Sequence, residues 1–388
     1  MKRSESRRQL LKFGGAMLFL CAGGAVYRGI EQGVFAIGTG PAYEPWRNWR
    51  GARTAGERIV AAALLAANPH NSQPWTFRLS AGAIDLYADP TRQIGAIDPL
   101  RREMYIGLGC ALENMTLAAA AEGFAVTATL MPDASDVTHA ARLSLIAAAP
   151  GAPELYAAIP RRATNRAAYD VTRAIAPTVF DAIDALVTEP EVRLLWFRDE
   201  AARTRFGAVA VGSAEALTAD EQQSIDSSRW WRHDWSLLQA QADGITLDAQ
   251  GMSGVVVALA KLMPDLPRHR ADAIFVRNVR EIMVPTAAAF GILAVRDRAS
   301  LAQRLRCGQA WQRIHLWGTT RGLAMQPLNQ MCERVDRELQ LGIEPLFGQA
   351  VAALIDAGGW QGIMPFRLGY PTRQAIHSPR RNLHEVIR

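Results

Sequence analysis

The stretch Ala66-Ala67-Asn68-Pro69-His70-Asn71-Ser72-Gln73-Pro74-Trp75 marks the first firm boundary in the chain. Upstream of it, Ile59, Ala62, Ala63 and Ala66 recur at helical spacing, which predicts a helix from about residue 55 with one apolar stripe. Asn68-Pro69 stops that helix, because the proline ring disfavours helical backbone at the preceding residue. Downstream, residues 76–79 and 84–87 read as two strands joined by a turn at 80–82. The polar loop 68–75 is therefore held between a helix and a hairpin.

Working outward, Asp98-Pro99 opens a long helix to about residue 122. Its small residues Gly107, Gly109, Ala111 and Ala118 permit close packing of a second helix. Strands are predicted at 124–130 and 141–146, and Pro150, Gly151 and Pro153 mark a junction. Beyond it come a short helix, a helix after Pro177 and a strand at 192–197. Residues 200–285 read as mostly helical and include Trp230, Trp231 and Trp235. A strand at 287–295, a long amphipathic helix at 301–322 and a last strand at 364–370 complete the pattern. No solenoid-length repeat is visible.

The chain has 388 residues, 49% apolar and 21% charged, enough apolar surface to exclude disorder over most of its length. The length suggests two to three domain-sized units. Four scattered cysteines without a CxxC pair make no disulfide framework. Apolar runs after residue 30 are broken well short of a membrane span. Of the 43 basic residues only Lys2, Lys12 and Lys261 are lysines. Residues 1–28 hold Lys2, Arg3, Arg7, Arg8, Lys12 and Arg28 against Glu5. The excess positive charge is thus mostly N-terminal, and the nearly neutral body argues against nucleic-acid binding.

The N-terminus reads as an address. The core Ser6-Arg7-Arg8-Gln9-Leu10-Leu11-Lys12, followed by a weakly apolar run rich in Gly and Ala, resembles a twin-arginine export signal, with the translocation machinery as partner. The expected location is periplasmic, or anchored to the outer face of the bacterial inner membrane if the segment is retained. Residues 29–54 read as a linker in which Trp46 and Trp49 dock on the domain.

Several chemistries lack their signatures. There is no P-loop, no G-x-G-x-x-G after a strand, no HxH or HExxH pair, hence no metal site, and no G-x-S-x-G elbow. Three polar clusters remain. Asn71, Gln73 and Trp75 could read a heterocycle that alternates carbonyls and ring N–H groups, or simply cap a turn. Arg162, Thr164 and Arg166 could clamp a phosphate, or form a solvated helix start. Arg380-Arg381 after Ser378-Pro379 carries the same two meanings.

Together these segments resemble a family. The 66–75 loop looks like the A-P-S-x-x-N-x-Q-P-W loop of nitroreductase-like flavoproteins. Arg162-Ala163-Thr164-Asn165-Arg166 looks like their phosphate-binding R-R-S-x-R. Residues 367–371 and 378–387 are similar to their closing strand and arginine motif, and residues 323–328, with Gln326, to a segment near the flavin ring. The clamp follows the loop by about 90 residues, the reverse of the usual order. That order resembles the fused subgroup related to mycobacterial Acg, in which one chain holds two halves.

The resemblance implies an α+β fold, a three-layer α/β/α sandwich, with an incomplete first half at 55–150 and a second at 151–388 that includes a possible lid at 228–270. It implies one FMN site, with Asn71, Gln73 and Trp75 from the first half and Arg162, Thr164, Arg166, Gln326, Arg380 and Arg381 from the second. A monomeric pseudo-dimer with small-molecule electron donor and acceptor follows from it. The activity implied is oxidoreduction through the flavin N5, with no catalytic side chain strictly required. The alternative is FMN binding or sequestering without NAD(P)H-dependent turnover.

Overall fold

A computed structural model describes residues 26–356 and 358–388. The twin-arginine motif, most of the apolar run and Cys21 lie outside the described residues.

The chain builds the same sheet twice. Strands β1 (Trp75–Ser80), β2 (Ala83–Ala88), β3 (Phe124–Leu130) and β4 (His139–Ala147) pair antiparallel in the order β1-β2-β4-β3. Strands β5 (Val192–Phe197), β6 (Ala289–Val295), β7 (Ala324–Pro327) and β8 (Gln361–Gly369) repeat it as β5-β6-β8-β7, also antiparallel. The fold is α+β, in two halves.

Helix α1 is the short Glu44–Asn48, and α2 is Ala55–Leu64. The start of α2 is fixed by a capping box, in which Thr54 Oγ1 accepts from Glu57 N and the Glu57 carboxylate accepts from Thr54 N. Helix α3 (Arg102–Ala121) links β2 to β3. Asp98 sets its start by accepting from the backbone N–H of Glu103 and Met104 at 3.0 and 2.8 Å, so the helix begins four residues later than Asp98-Pro99 suggests.

The second half adds α4 (Pro177–Asp184), α5 (Glu200–Ala219), α6 (Glu221–Ser228), α7 (Trp235–Gln241), α8 (Gly254–Leu262), α9 (Arg268–Asn278) and α10 (Leu301–Thr320). Helix α10 links β6 to β7, as α3 links β2 to β3. Helices α11 (Gln330–Leu341) and α12 (Leu346–Ile355) then separate β7 from β8.

Helices α3 and α10 cross at the middle of the molecule. A Cβ on Gly109 would lie 2.0 Å from the Leu305 carbonyl oxygen, and one on Gly308 would lie 2.0 Å from that of Ile106. Neither position accepts even a methyl group, so the small residues of α3 serve the close packing expected of them. One continuous core runs through this crossing and the inner faces of both sheets. A second core, with Phe206, Phe290 and Met331, lies under α5, α11 and α12 on the far face of the second sheet. The outer face of the first sheet instead carries the polar row Arg78, Asp85, Arg142 and Thr129.

The second half reaches onto the first. The C-terminal residues cross to the first sheet, where Phe77 N donates to Val386 O at 2.7 Å and Arg388 N donates to Phe77 O at 2.8 Å. Trp46 and Trp49 are buried, so residues 41–49 form part of the body.

Candidate cofactor site

The loop after α2 is held in an unusual backbone. His70, Asn71 and Gln73 have φ of 47°, 54° and 51°, all in the left-handed region that disfavours side chains with a Cβ. Three such residues within four positions need strong external support. Asn68 Oδ1 accepts from Gln73 N at 2.8 Å, and Trp75 N donates to Gln73 O at 2.9 Å. The C-terminal tail supplies the rest. Asn71 Nδ2 donates to Pro379 O at 2.9 Å, Arg380 Nη1 donates to Asn71 Oδ1, and Arg381 N donates to Gln73 Oε1 at 2.9 Å.

Residues 242–244 are bonded to the same loop. Gln73 Nε2 donates to Ala242 O at 2.9 Å, and Gly244 N donates to Asn71 O at 3.2 Å. The loop thus joins the predicted first and third clusters directly. Both amide ends of Asn71 and of Gln73 are engaged with protein groups in this arrangement. Trp75 is fully buried and its indole N–H has no partner.

The predicted clamp lies against this junction. Arg162 and Arg380 are both almost fully buried. Arg162 Nη2 donates to Leu65 O at 3.3 Å, and Arg380 donates to Ala66 O at 3.2 Å and Pro379 O at 3.0 Å. Neither forms an ion pair among the described residues, and the Nε–H of each is buried without a partner. Arg166 donates to Ala249 O at 3.3 Å, again a carbonyl and not a carboxylate. Thr164 is half-buried between the two clamp arginines in sequence.

Burial is the main reason that the charged forms of these arginines are disfavoured, and mutual repulsion adds to it. Arg162 and Arg166 are pushed down to about 10, and Arg380 falls well below the ordinary guanidinium range. Arg381 is lowered too, by burial and then by Arg92.

Neutral aromatic groups line the cationic centre. Trp46 stacks on His377 with ring centroids 4.0 Å apart, and Trp46 Nε1 donates to Ser378 O at 2.8 Å. The Arg380 and Arg162 guanidinium carbons lie 4.8 and 6.0 Å from the Trp46 ring centroid. Burial, then Arg162 and Arg380, depress His377 to about 4, while burial and Arg166 depress His70 to about 4. Burial and Arg162 hold His315 neutral as well.

Two other arginines look different. Arg102 pairs with Asp336 and Glu103, and Arg313 with Glu113 and Glu189. Arg304 and Arg367 are also buried without a carboxylate, but oxygens of Arg298 and Gln326 take their Nε–H donors, whereas those of Arg162 and Arg380 have no partner among the described residues. A buried cation left under-satisfied in this way favours an anionic ligand. Two orphaned Nε–H donors and the surplus charge suit a phosphate, whose oxygens accept from arginine forks.

Gln326 lies deeper. Its Oε1 accepts from Arg367 Nε at 2.9 Å and its Nε2 faces Met283 Sδ. Arg367 is fully buried over the Tyr169 ring and donates to Ala167 O at 2.8 Å, tying β8 to the clamp loop. The sequence reading did not place Trp46, His377, His315 or Arg367 at the site. Trp46 was read as a docking residue, and isolated histidines carry no local signal of a shared cation.

No family model matches the chain. A candidate NAD(P)H nitroreductase of Mycobacterium tuberculosis is 34% identical over 113 residues, which cover 29% of this chain and 33% of that protein. The match thus spans about a third of that relative. The candidate NAD(P)H nitroreductase acg of the same species is 25% identical over 319 residues, covering 77% of this chain and 87% of that protein. Among solved structures, the FMN-dependent nitroreductase NfnB of Mycobacterium smegmatis is 17% identical with a TM-score of 0.38, covering 61% of this chain and 97% of that one.

Proposed function

We propose that the protein is an FMN-binding oxidoreductase of the nitroreductase-like type, with a single flavin site at the junction of its halves. The observation that carries this reading is the pair of buried arginines without carboxylate partners, Arg162 and Arg380, with the half-buried Arg166 beside them, set against the strained 70–73 loop. Arg162 and Arg380 would hold the phosphate through their unpaired Nε–H donors, with Arg166 and Thr164 beside them. Asn71, Gln73 and Trp75 would border the ring, and Arg381 and Gln326 would brace the surrounding backbone. Bound FMN would supply hydride exchange at N5. The protein's own tasks are then to neutralise the phosphate, fix the ring and exclude water.

The names of the mycobacterial relatives agree with this reading. The crossing of the C-terminal tail supports it too, since it brings Arg380 and Arg381 of the second half against the 71–73 loop of the first. The alternative, flavin holding without NAD(P)H turnover, draws on one observation. Residues 242–244 are bonded to the 71–73 loop, so a donor must displace them to reach the ring. We also propose export of the folded protein by the twin-arginine route.

The experiment is flavin retention. Protein purified from a flavin-replete host is expected to show flavin absorbance, to be bleached by NAD(P)H and to recover with a nitroaromatic. The double variant Arg162→Ala/Arg166→Ala is expected to lose the flavin, since each charge-assisted phosphate contact is worth about 1.5–3 kcal/mol. Colourless wild-type protein, or unchanged flavin in the double variant, overturns the assignment. Bound flavin that NAD(P)H leaves oxidised selects the alternative.

A further inference from the structure

Helix α8 is built inside out. Its sequence is Gly-Val-Val-Val-Ala-Leu-Ala-Lys-Leu, and its single charged residue, Lys261, points into the protein. There the Lys261 ammonium meets Asp248 at 2.8 Å and donates to the Gly33 carbonyl at 3.2 Å, with the side chain only 7% exposed. The outward face holds Val255, Val256 and Leu259, with Val255 71% exposed, and Met263 continues it past the helix end. A helix that faces water carries the opposite pattern, with charges out and branched aliphatics in.

The patch extends onto a second segment. The helical turn at 26–31 packs beside α8. Arg28 Nε donates to Leu262 O at 3.0 Å, and a Cβ on Gly29 would touch the Leu262 and Phe35 side chains. Ile30 and Phe35 are exposed next to it, Phe35 at 78%. Together the two segments present one apolar face, with Arg28 and Glu31 exposed on the first segment and Asp265 exposed just beyond the second.

The direction of the chain indicates what covers this face. Val26, Tyr27 and Ile30 of the first segment are exposed. Residues 13–25, immediately before it, contain no charged side chain, and they follow a cluster with Lys2, Arg3, Arg7, Arg8 and Lys12. We propose that this face, α8 together with residues 26–35, rests in the interfacial layer of a phospholipid bilayer. The aliphatic side chains would enter the acyl boundary while the Arg28 guanidinium stays at the headgroups. Since residues 242–251 connect α8 to the 71–73 loop and to Arg166, docking would turn the cover of the arginine cluster toward the membrane. The inference does not depend on which ligand that cluster holds.

A local probe on the full chain tests it. Cys110, Cys307 and Cys332 are buried, so in a Cys21→Ser background an added Leu259→Cys takes an environment-sensitive fluorophore selectively. The same label on Ile146→Cys, exposed on the first sheet, is the control. With vesicles of phosphatidylethanolamine and phosphatidylglycerol (3:1), the label at 259 is expected to shift to the blue and to be quenched by doxyl-lipids near the headgroups, while the label at 146 stays water-like. Val255→Asp/Leu259→Asp in the full chain is expected to lower the vesicle-bound fraction at least about tenfold. The proposal is overturned if the protein floats with vesicles while position 259 stays water-like, because the N-terminal segment then binds alone. It is equally overturned if the protein does not float, or if the label at 259 shifts without lipid as protein concentration rises, which would assign the face to a second copy.

Discussion

At the scale of single residues, the decisive contrast is between buried arginines whose Nε–H is taken up, such as Arg102, Arg304 and Arg367, and Arg162 and Arg380, whose Nε–H has no partner among the described residues. Arg162 is buried near Trp46, His315 and His377, and among the described residues its guanidinium makes one hydrogen bond, a long one to Leu65 O. Its charge is therefore a burden to the ligand-free protein and an asset to the complex. Arg162→Met keeps the aliphatic bulk and removes that charge. It is expected to leave the ligand-free Tm unchanged or higher while weakening flavin binding at least about tenfold, measured by calorimetry on apo protein and by flavin titration. A large fall in the ligand-free Tm would show instead that Arg162 is a structural group. His377 makes a second residue-scale claim. Its folded pKa, about 4, lies below the ordinary value near 6.5, so its stabilising contribution is complete above pH 6.5 and is lost as pH falls toward 4. His377→Phe keeps a ring against Trp46 and removes the proton site. Its Tm is expected to fall less steeply than wild type between pH 6.5 and 4.5, and equal slopes would place the acid sensitivity elsewhere, for example in His70 or His315.

At the scale of elements, the α3–α10 crossing is the tightest constraint. Gly308→Ala would place a methyl group 2.0 Å from the Ile106 carbonyl oxygen, and backbone cannot rotate away as a side chain can. The helices must separate, at a cost of about 1–3 kcal/mol or more, read as a lower midpoint in urea unfolding. Gly322→Ala is the control, because nothing lies within 4 Å of its added Cβ and only the cost of positive φ applies. Much of this level was legible beforehand. The helix stripe ending at Asn68-Pro69, the 76–87 hairpin, the long helices and the small residues of α3 all follow from spacing and breakers. The strand β7 and the helices α11 and α12 were not separately read, since a four-residue strand has too few side chains to show alternation. The site was legible as three clusters but not as one object. Its convergence depends on residues 379–381 crossing from the second half to the 71–73 loop, a contact more than 300 residues apart that no local pattern encodes.

At the scale of the whole molecule, the repeated sheet order raises the question whether the halves are independent. Three features couple them: the helix crossing, the C-terminal tail and one fully buried ion pair. Arg102 of α3 donates to Asp336 of α11 at 2.6 Å and to Ile363 O of β8 at 2.7 Å. Arg298 meets the other Asp336 oxygen at 2.7 Å. Both members of the Arg102–Asp336 pair are wholly removed from solvent, so deleting Arg102 leaves one Asp336 oxygen and the buried Glu103 carboxylate without their cation, at a cost of about 3–5 kcal/mol. Because the pair spans the halves, that loss must be felt by both. Arg102→Leu is therefore expected to lower the unfolding midpoint by the same amount in far-ultraviolet circular dichroism, in tryptophan fluorescence and in a probe confined to the first sheet, with one transition in each. If the first-sheet probe kept its wild-type midpoint while the others moved, the halves would unfold separately. The continuous core through α3 and α10 would then be contact without cooperativity.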